Sequence, residues 1–208
     1  MKWTYDRTEV IADGLVHALG LGLGVAGVLS LLVHVSAQAP ARITAALIYG
    51  AGLLTVLSLS ATYNLWPISP AKWVLRRFDH AAIYLLIAST YTPFLTHIAD
   101  PAASRLLLGI WLVACAGMVL KLTDPARFER LSILLYLGLG WGGVLVYERV
   151  ITGLPLATVW LLVVGGVLYS AGVLFHLWER LRFHNALWHA FVLAAAGCHF
   201  CAVLKLLA

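Results

Sequence analysis

Along the chain, hydrophobic positions gather into long runs, and polar positions fall between them. The apolar runs cover roughly residues 11–35, 43–66, 79–97, 103–121, 131–148, 155–178 and 186–207. Each is about 17–25 residues long, the length at which an α-helix crosses a hydrocarbon core about 30 Å thick. None alternates with the two-residue period of a barrel strand. With no water in the bilayer core, backbone groups must be satisfied within the segment, so helices are the solution. The pattern predicts an all-α membrane protein, a seven-transmembrane helix bundle forming a single domain over 1–208. Connections of a handful to about a dozen residues leave no room for a second domain. Pro40, Pro67, Pro70, Pro101, Pro125 and Pro155 fall in or beside connections, where a missing N–H costs little. Pro93 falls inside the third run and is expected to kink or thin that helix.

Composition strengthens the membrane reading. The 208 residues are 62% hydrophobic and only 11% charged, against about 25% charged in an average soluble domain. The net charge is +5, but the basic residues are dispersed between the apolar runs, which excludes a nucleic-acid surface. Their distribution sets the orientation. Lys2, Arg7, Lys72, Arg76, Arg77, Lys121, Arg127, Arg130, Arg180 and Arg182 lie on one side, against Arg42, Arg105, Arg149 and Lys205 on the other. The positive-inside rule then predicts a cytoplasmic N-terminus and an outer C-terminus in the cell membrane. Trp66, Trp73, Trp178 and Trp188 flank the basic side as an aromatic belt would. Asp6, Glu9 and Asp13 precede the first run, and no short apolar stretch with a cleavage site comes before it. The first helix is therefore expected to act as its own uncleaved insertion signal.

Polar residues inside apolar runs are costly in lipid and so carry the functional information. Ser60 and Asn64 sit one turn apart at the end of the second run, and Asp79 and His80 open the third. Asn185 and His189 sit one turn apart at the start of the seventh, and Glu9, Asp13 and His17 enter the first. Spacing of i and i+4 puts each pair on one helix face. All lie at similar depth on the basic side, which predicts one polar pocket near the cytoplasmic face. Singly, Asp79 reads equally well as a charge favouring a helix N-terminus, and Ser60 with Asn64 as interhelical hydrogen-bonding groups. His176 and His184 are placed to lean toward the pocket, and His34 and His97 read as outer-interface residues. His199 lies ten residues beyond His189, about 15 Å along the helix, and is expected outside the pocket. Cys115, Cys198 and Cys201 fall inside apolar runs. The C-x-x-C pair has no second pair to complete a four-cysteine zinc site, and the three read as small packing residues. Gly20 with Gly24, and Gly138 with Gly142, have the small-xxx-small spacing of close helix approaches.

Several strings carry a family likeness. Ser60-Ala-Thr-Tyr-Asn-Leu-Trp-Pro67, Arg76-Arg-Phe-Asp-His-Ala-Ala-Ile-Tyr84 and Thr90-Tyr-Thr-Pro-Phe-Leu95 resemble the bacterial hemolysin III family. So do Glu9-Val-Ile-Ala-Asp-Gly-Leu-Val-His17, Asn185-Ala-Leu-Trp-His189 and Cys198-His-Phe200. The likeness runs in order over nearly the whole chain. That family is similar to the progestin and adipoQ receptor group, whose relatives include the alkaline ceramidases. The resemblance implies a seven-helix bundle with a cytoplasmic-facing zinc site. Its pattern is S-x3-H on the second span, an Asp on the third and H-x3-H on the seventh. The three histidines would bind zinc and the Asp would position or activate a zinc-bound water. Three protein ligands with one open position is the hydrolytic arrangement.

Ser60, Asp79 and His189 match that pattern, with Ser60 and Asp79 as the catalytic candidates and His189 as the remaining metal ligand. Asn64 and Asn185 stand where the other two histidines belong. An amide oxygen is a much poorer zinc partner than an imidazole nitrogen. The site is then either a hydrogen-bonded polar pocket or a metal site rebuilt with His184, Asp79 or His17. The leading expectation is a membrane protein of lipid homeostasis or sensing, with membrane lipids as its partners. A metal-dependent hydrolase of a lipid amide or ester is the alternative. A pore-forming cytolysin ranks lowest, because the outer halves of the runs are almost wholly apolar.

Overall fold

The computed structural model describes residues 5–123 and 129–207. Lys2, Pro125 and Arg127 of the sequence reading lie outside the described residues. Eight α-helices follow one another: α1 Arg7–Val35, α2 Pro40–Leu65, α3 Pro70–His97, α4 Pro101–Thr123, α5 Glu129–Gly140, α6 Tyr147–Gly153, α7 Leu156–Leu177 and α8 His184–Leu207. Three helices open on proline, at Pro40, Pro70 and Pro101, where the absent N–H is one the helix could not satisfy anyway. Asp6 caps α1 in a reciprocal box. Its carboxylate accepts from the Glu9 amide at 2.8 Å, and Glu9 accepts from the Asp6 amide at 2.9 Å. Asp100 accepts from the Ala102 amide at 2.7 Å at the start of α4.

Among the described residues, six segments are long and apolar enough to cross a membrane: α1, α2, α4, Arg130–Gly153, α7 and α8. The exposed side chains on these helices are large and apolar, among them Leu15, Leu23, Val33, Leu112 and Leu174, as a lipid-facing surface requires. The chain is a multi-pass membrane protein.

The fifth predicted run is one membrane-length segment but not one regular helix. A 3₁₀ stretch, Gly142–Val146, separates α5 from α6. Glycines 138, 140, 142 and 143 weaken the helix here, and Tyr91 of α3 captures the groups set free. Its hydroxyl donates to the Gly140 carbonyl at 2.8 Å and accepts from the Gly143 amide at 2.9 Å.

α3 is the least apolar helix and the most enclosed. It packs on α2, α4, α5 and α8, while α8 also packs on α7 and α1, and α1 on α2. The hydroxyls of Ser89, Thr90 and Thr92 are buried and bond to the carbonyls of Leu86, Leu86 and Ala88 of their own helix. α3 begins at Pro70 and not at residue 79, so Lys72, Arg76 and Arg77 are helical residues and not loop charges. Lys72 is buried, and its ammonium donates to the Asn64 and Trp66 carbonyls at 3.1 and 2.8 Å at the end of α2. Arg77 donates to the Leu122 carbonyl at 3.2 Å near the end of α4. Cations here satisfy orphan carbonyls at helix C-termini. The helix continues through Pro93 to His97.

Small residues set the approaches. A Cβ on Gly24 would stand 2.5 Å from Leu57 Cδ1, so α1 meets α2 there. Gly138 faces open space and takes no part in such packing. Cys115 and Cys201 are exposed and Cys198 is half-buried, so Cys115 and Cys201 look outward and do not fill core gaps.

Candidate functional site

The start of α1, the end of α2 and the start of α8 meet at one end of the bundle. Their polar faces were visible as i, i+4 pairs, and the structure joins them into one chain of contacts. Asp13 is its hub. One carboxylate oxygen lies 2.6 Å from His189 Nδ1, and the other accepts from Asn185 Nδ2 at 3.0 Å. The same Asn185 amide nitrogen donates to Asn64 Oδ1 at 3.3 Å. Asn64 Nδ2 in turn donates to the Ser60 carbonyl at 2.9 Å and lies 3.4 Å from its hydroxyl. His17 packs its ring against that of His189, with centroids 4.5 Å apart. His17 Nε2 lies 3.6 Å from Asp13, is buried and has no hydrogen-bond partner.

A small recess of about 30 Å³ opens beside this network, room for about two waters. Glu9, Asp13, Tyr63, Asn64, Lys72 and Asn185 are among its lining residues. At its rim Glu9 also accepts from the Phe183 amide at 3.0 Å, and Arg182 bonds to Asp6 at 3.1 Å. These contacts tie the α1 cap to the turn before α8. Phe183 holds φ at 61° there, a backbone region that non-glycine residues seldom occupy. The Asp6 carboxyl is lowered to about 2, by the Thr8 hydroxyl first, then by the Glu9 amide and Arg182. Burial raises the Tyr5 phenol to about 12.

The remaining candidates stand apart from the hub. Asp79 lies 3.3 Å from its neighbour His80, and His80 meets Tyr63 edge-on with centroids 6.1 Å apart. Tyr136 of α5 donates to the His80 carbonyl at 2.8 Å. His184 packs beside Tyr5, with ring centroids 5.8 Å apart. His176 stacks on Trp188 at 5.2 Å. His199 sits deeper, as its spacing implied, and reaches the Leu162 carbonyl at 3.2 Å.

Among the described residues, one group of three Asp, Glu, His or Cys side chains brings ligand atoms within 4.8 Å of one another: Asp13, His17 and His189. The sequence shows Asp13 and His17 one turn apart with one carboxylate and one imidazole. What it does not show is that they face His189 from another helix. Asp79 is not a member of this group.

A bundle of apolar helices with a cluster of carboxylate, imidazole and amide groups at one end is a multi-pass membrane protein. A sequence model of the Haemolysin-III related family matches residues 6–200. The chain is 34% identical to the Hemolysin-3 homolog of Bacillus subtilis (strain 168), over 94% of this chain and 93% of that protein. It is 34% identical to Hemolysin-3 of Bacillus cereus, over 98% and 94%. It is 30% identical to the human Monocyte to macrophage differentiation factor, over 96% and 84%. The chain belongs to the haemolysin III-related family of membrane proteins, within the wider progestin and adipoQ receptor-like group.

The zinc set that the family pattern implies does not fit these residues. Asn64 and Asn185 turn their amides to each other, to Asp13 and to Ser60. Their amide nitrogens are donors, which repel a cation, and the Asn64 oxygen is already taken by Asn185. Of the three ligand positions only His189 still offers an imidazole.

Proposed function

We propose that this protein binds the polar part of a membrane lipid at the end of its helix bundle, in lipid homeostasis or sensing. The observation that carries the reading is the Asp13–Asn185–Asn64–Ser60 hydrogen-bonded chain beside the recess. The recess is lined by two carboxylates, Glu9 and Asp13, by the carboxamides of Asn64 and Asn185 and by Lys72. Its small size suits a hydroxyl, amide or amine group and leaves an acyl chain in the bilayer. In this reading α3 makes the seventh crossing. Its 28 residues reach about 42 Å, and Asp79, His80, Ser89, Thr90 and Thr92 along its length are buried. Seven crossings with the basic side inward put the recess at the cytoplasmic face and the C-terminus outside.

The test is photolabelling of the purified protein with analogues of a ceramide and of a phospholipid, each carrying its reactive group near the headgroup. Labels on residues lining the recess, competed by unlabelled lipid and reduced by Asn185→Leu, are expected. Labels confined to the lipid-facing surface would overturn the proposal.

A second reading is metal-dependent hydrolysis of a lipid amide or ester. The convergence of Asp13, His17 and His189 favours it. Release of fatty acid from a labelled lipid by the native protein separates this reading from binding alone.

A further inference from the structure

We propose that Asp13, His17 and His189 form a divalent-metal site of their own. It differs from the family's ligand set in two of three positions, and two of its three ligands come from α1. The inference goes beyond the lipid-binding reading and stands without it.

The donor chemistry is two imidazole nitrogens and one carboxylate oxygen, a set suited to zinc and to other first-row divalent metals. Cysteine is not required, and none lies in the group. Asp13 and His17 are one turn apart on α1, so they present ligands along one face, and His189 meets that face from α8. Tetrahedral zinc with bonds of about 2.0–2.1 Å separates neighbouring ligand atoms by about 3.4 Å. One Asp13 oxygen lies 2.6 Å from His189 Nδ1 and the other 3.6 Å from His17 Nε2, and one ligand atom from each of the three residues lies within 4.8 Å of the other two. Metal binding turns the three side chains until their ligand atoms reach the tetrahedral spacing. A metal at His189 Nδ1 takes the place of the hydrogen in the His189–Asp13 contact, and a neutral His189 ring then carries its single proton on Nε2.

Two observations favour a ligand over a mere hydrogen-bonded cluster. His17 is 6% exposed, and its Nε2 has no hydrogen-bond partner although it faces Asp13. Its contact with Asp13, at 3.6 Å, is longer than a hydrogen bond, and a metal ion between the three groups would give this nitrogen a closer partner. The two asparagines also have a use here. Asn185 donates to the Asp13 oxygen nearer His17 at 3.0 Å, and Asn64 accepts from Asn185. Partners that orient a ligating carboxylate are part of a metal site. Residues at former ligand positions thus support a ligand on the neighbouring helix.

The test uses the full chain in detergent, stripped with chelator, titrated with zinc and washed, with metal read by elemental mass spectrometry. About one zinc per native chain is expected. His17→Gln should weaken binding by more than about tenfold, while His184→Gln and the Cys198→Ser, Cys201→Ser pair should bind as the native chain does. No zinc in the native chain, undiminished binding in His17→Gln, or loss of zinc in the cysteine pair would each overturn the proposal. Cobalt loading of the native chain decides the matter without any variant. Ligand-field bands of a nitrogen and oxygen site are expected, and a thiolate charge-transfer band or no cobalt spectrum would refute it. Photolabelling of the same preparations keeps the two readings apart. Labelling without zinc overturns the metal site alone, and zinc without labelling overturns the lipid reading alone.

Discussion

Gly52 of α2 lies against Ser89 of α3, and this contact fixes how closely the helix carrying Ser60 and Asn64 approaches the helix carrying Asp79. A Cβ built on Gly52 would stand 2.0 Å from Ser89 Oγ and 2.6 Å from Ser89 Cβ, with the Leu85 carbonyl oxygen at 3.5 Å. Ser89 is fully buried and its hydroxyl is held on the Leu86 carbonyl at 3.0 Å. Rotating the hydroxyl removes the first clash but not the second, so the helices must move apart. Overpacking of this kind costs about 1–3 kcal/mol. For a domain of this size that is a fall of roughly 2–12 °C in thermal midpoint. Ser89→Gly removes both clashing atoms and leaves only the 3.5 Å contact, an ordinary one. In that background Gly52→Ala should be neutral or should stabilise by up to about 1 kcal/mol, since Ala is the better helix former. Thermal melts of the four proteins in one detergent form a double-mutant cycle. A Gly52→Ala effect of equal size and sign in both backgrounds would refute the close approach.

Four further outcomes are expected. Gly165→Ala should displace His199, because its Cβ would meet the imidazole at 2.3 Å and the Ala195 carbonyl at 3.2 Å; a thermal midpoint unchanged from native would contradict this α7–α8 contact. Tyr91→Phe leaves the Gly140 carbonyl and Gly143 amide without their shared partner and should lower stability by about 1–3 kcal/mol, read as a fall in midpoint. The Asp6 carboxyl titrates at about 2, below its ordinary 3.8, so its capping contribution is complete above about pH 4 and disappears as pH falls through about 2. The difference in midpoint between native and Asp6→Ala should therefore shrink across that window, and a constant difference would contradict the cap. Alkaline phosphatase fused after the C-terminal residue should be active and a fluorescent-protein fusion dark, as seven crossings with a cytoplasmic N-terminus require; the opposite pair of results would mean an even number of crossings or an inverted bundle.

Apolar run length and the lack of two-residue alternation were enough for a helical membrane protein, because in lipid the backbone leaves no other choice for segments of this kind. The family likeness was legible too, since its strings are local in sequence. So were the i, i+4 pairs, because helical periodicity alone puts them on one face. The start of α3 was not legible. Lys72 and Arg77 look like loop charges until the carbonyls they cap, at the ends of α2 and α4, are brought beside them. The interruption after Gly140 likewise depends on Tyr91, about fifty positions away.

At the site, the sequence by itself put Asp13 with His17, Ser60 with Asn64 and Asn185 with His189 on shared helix faces. Only the tertiary structure decided that Asp13, and not Asp79, is the carboxylate shared by His17, His189 and Asn185. Helical spacing determines which residues share a face of one helix. Which face of α1 turns toward α8 depends on packing across the whole bundle, through contacts such as Gly24 on Leu57, and no local pattern contains it.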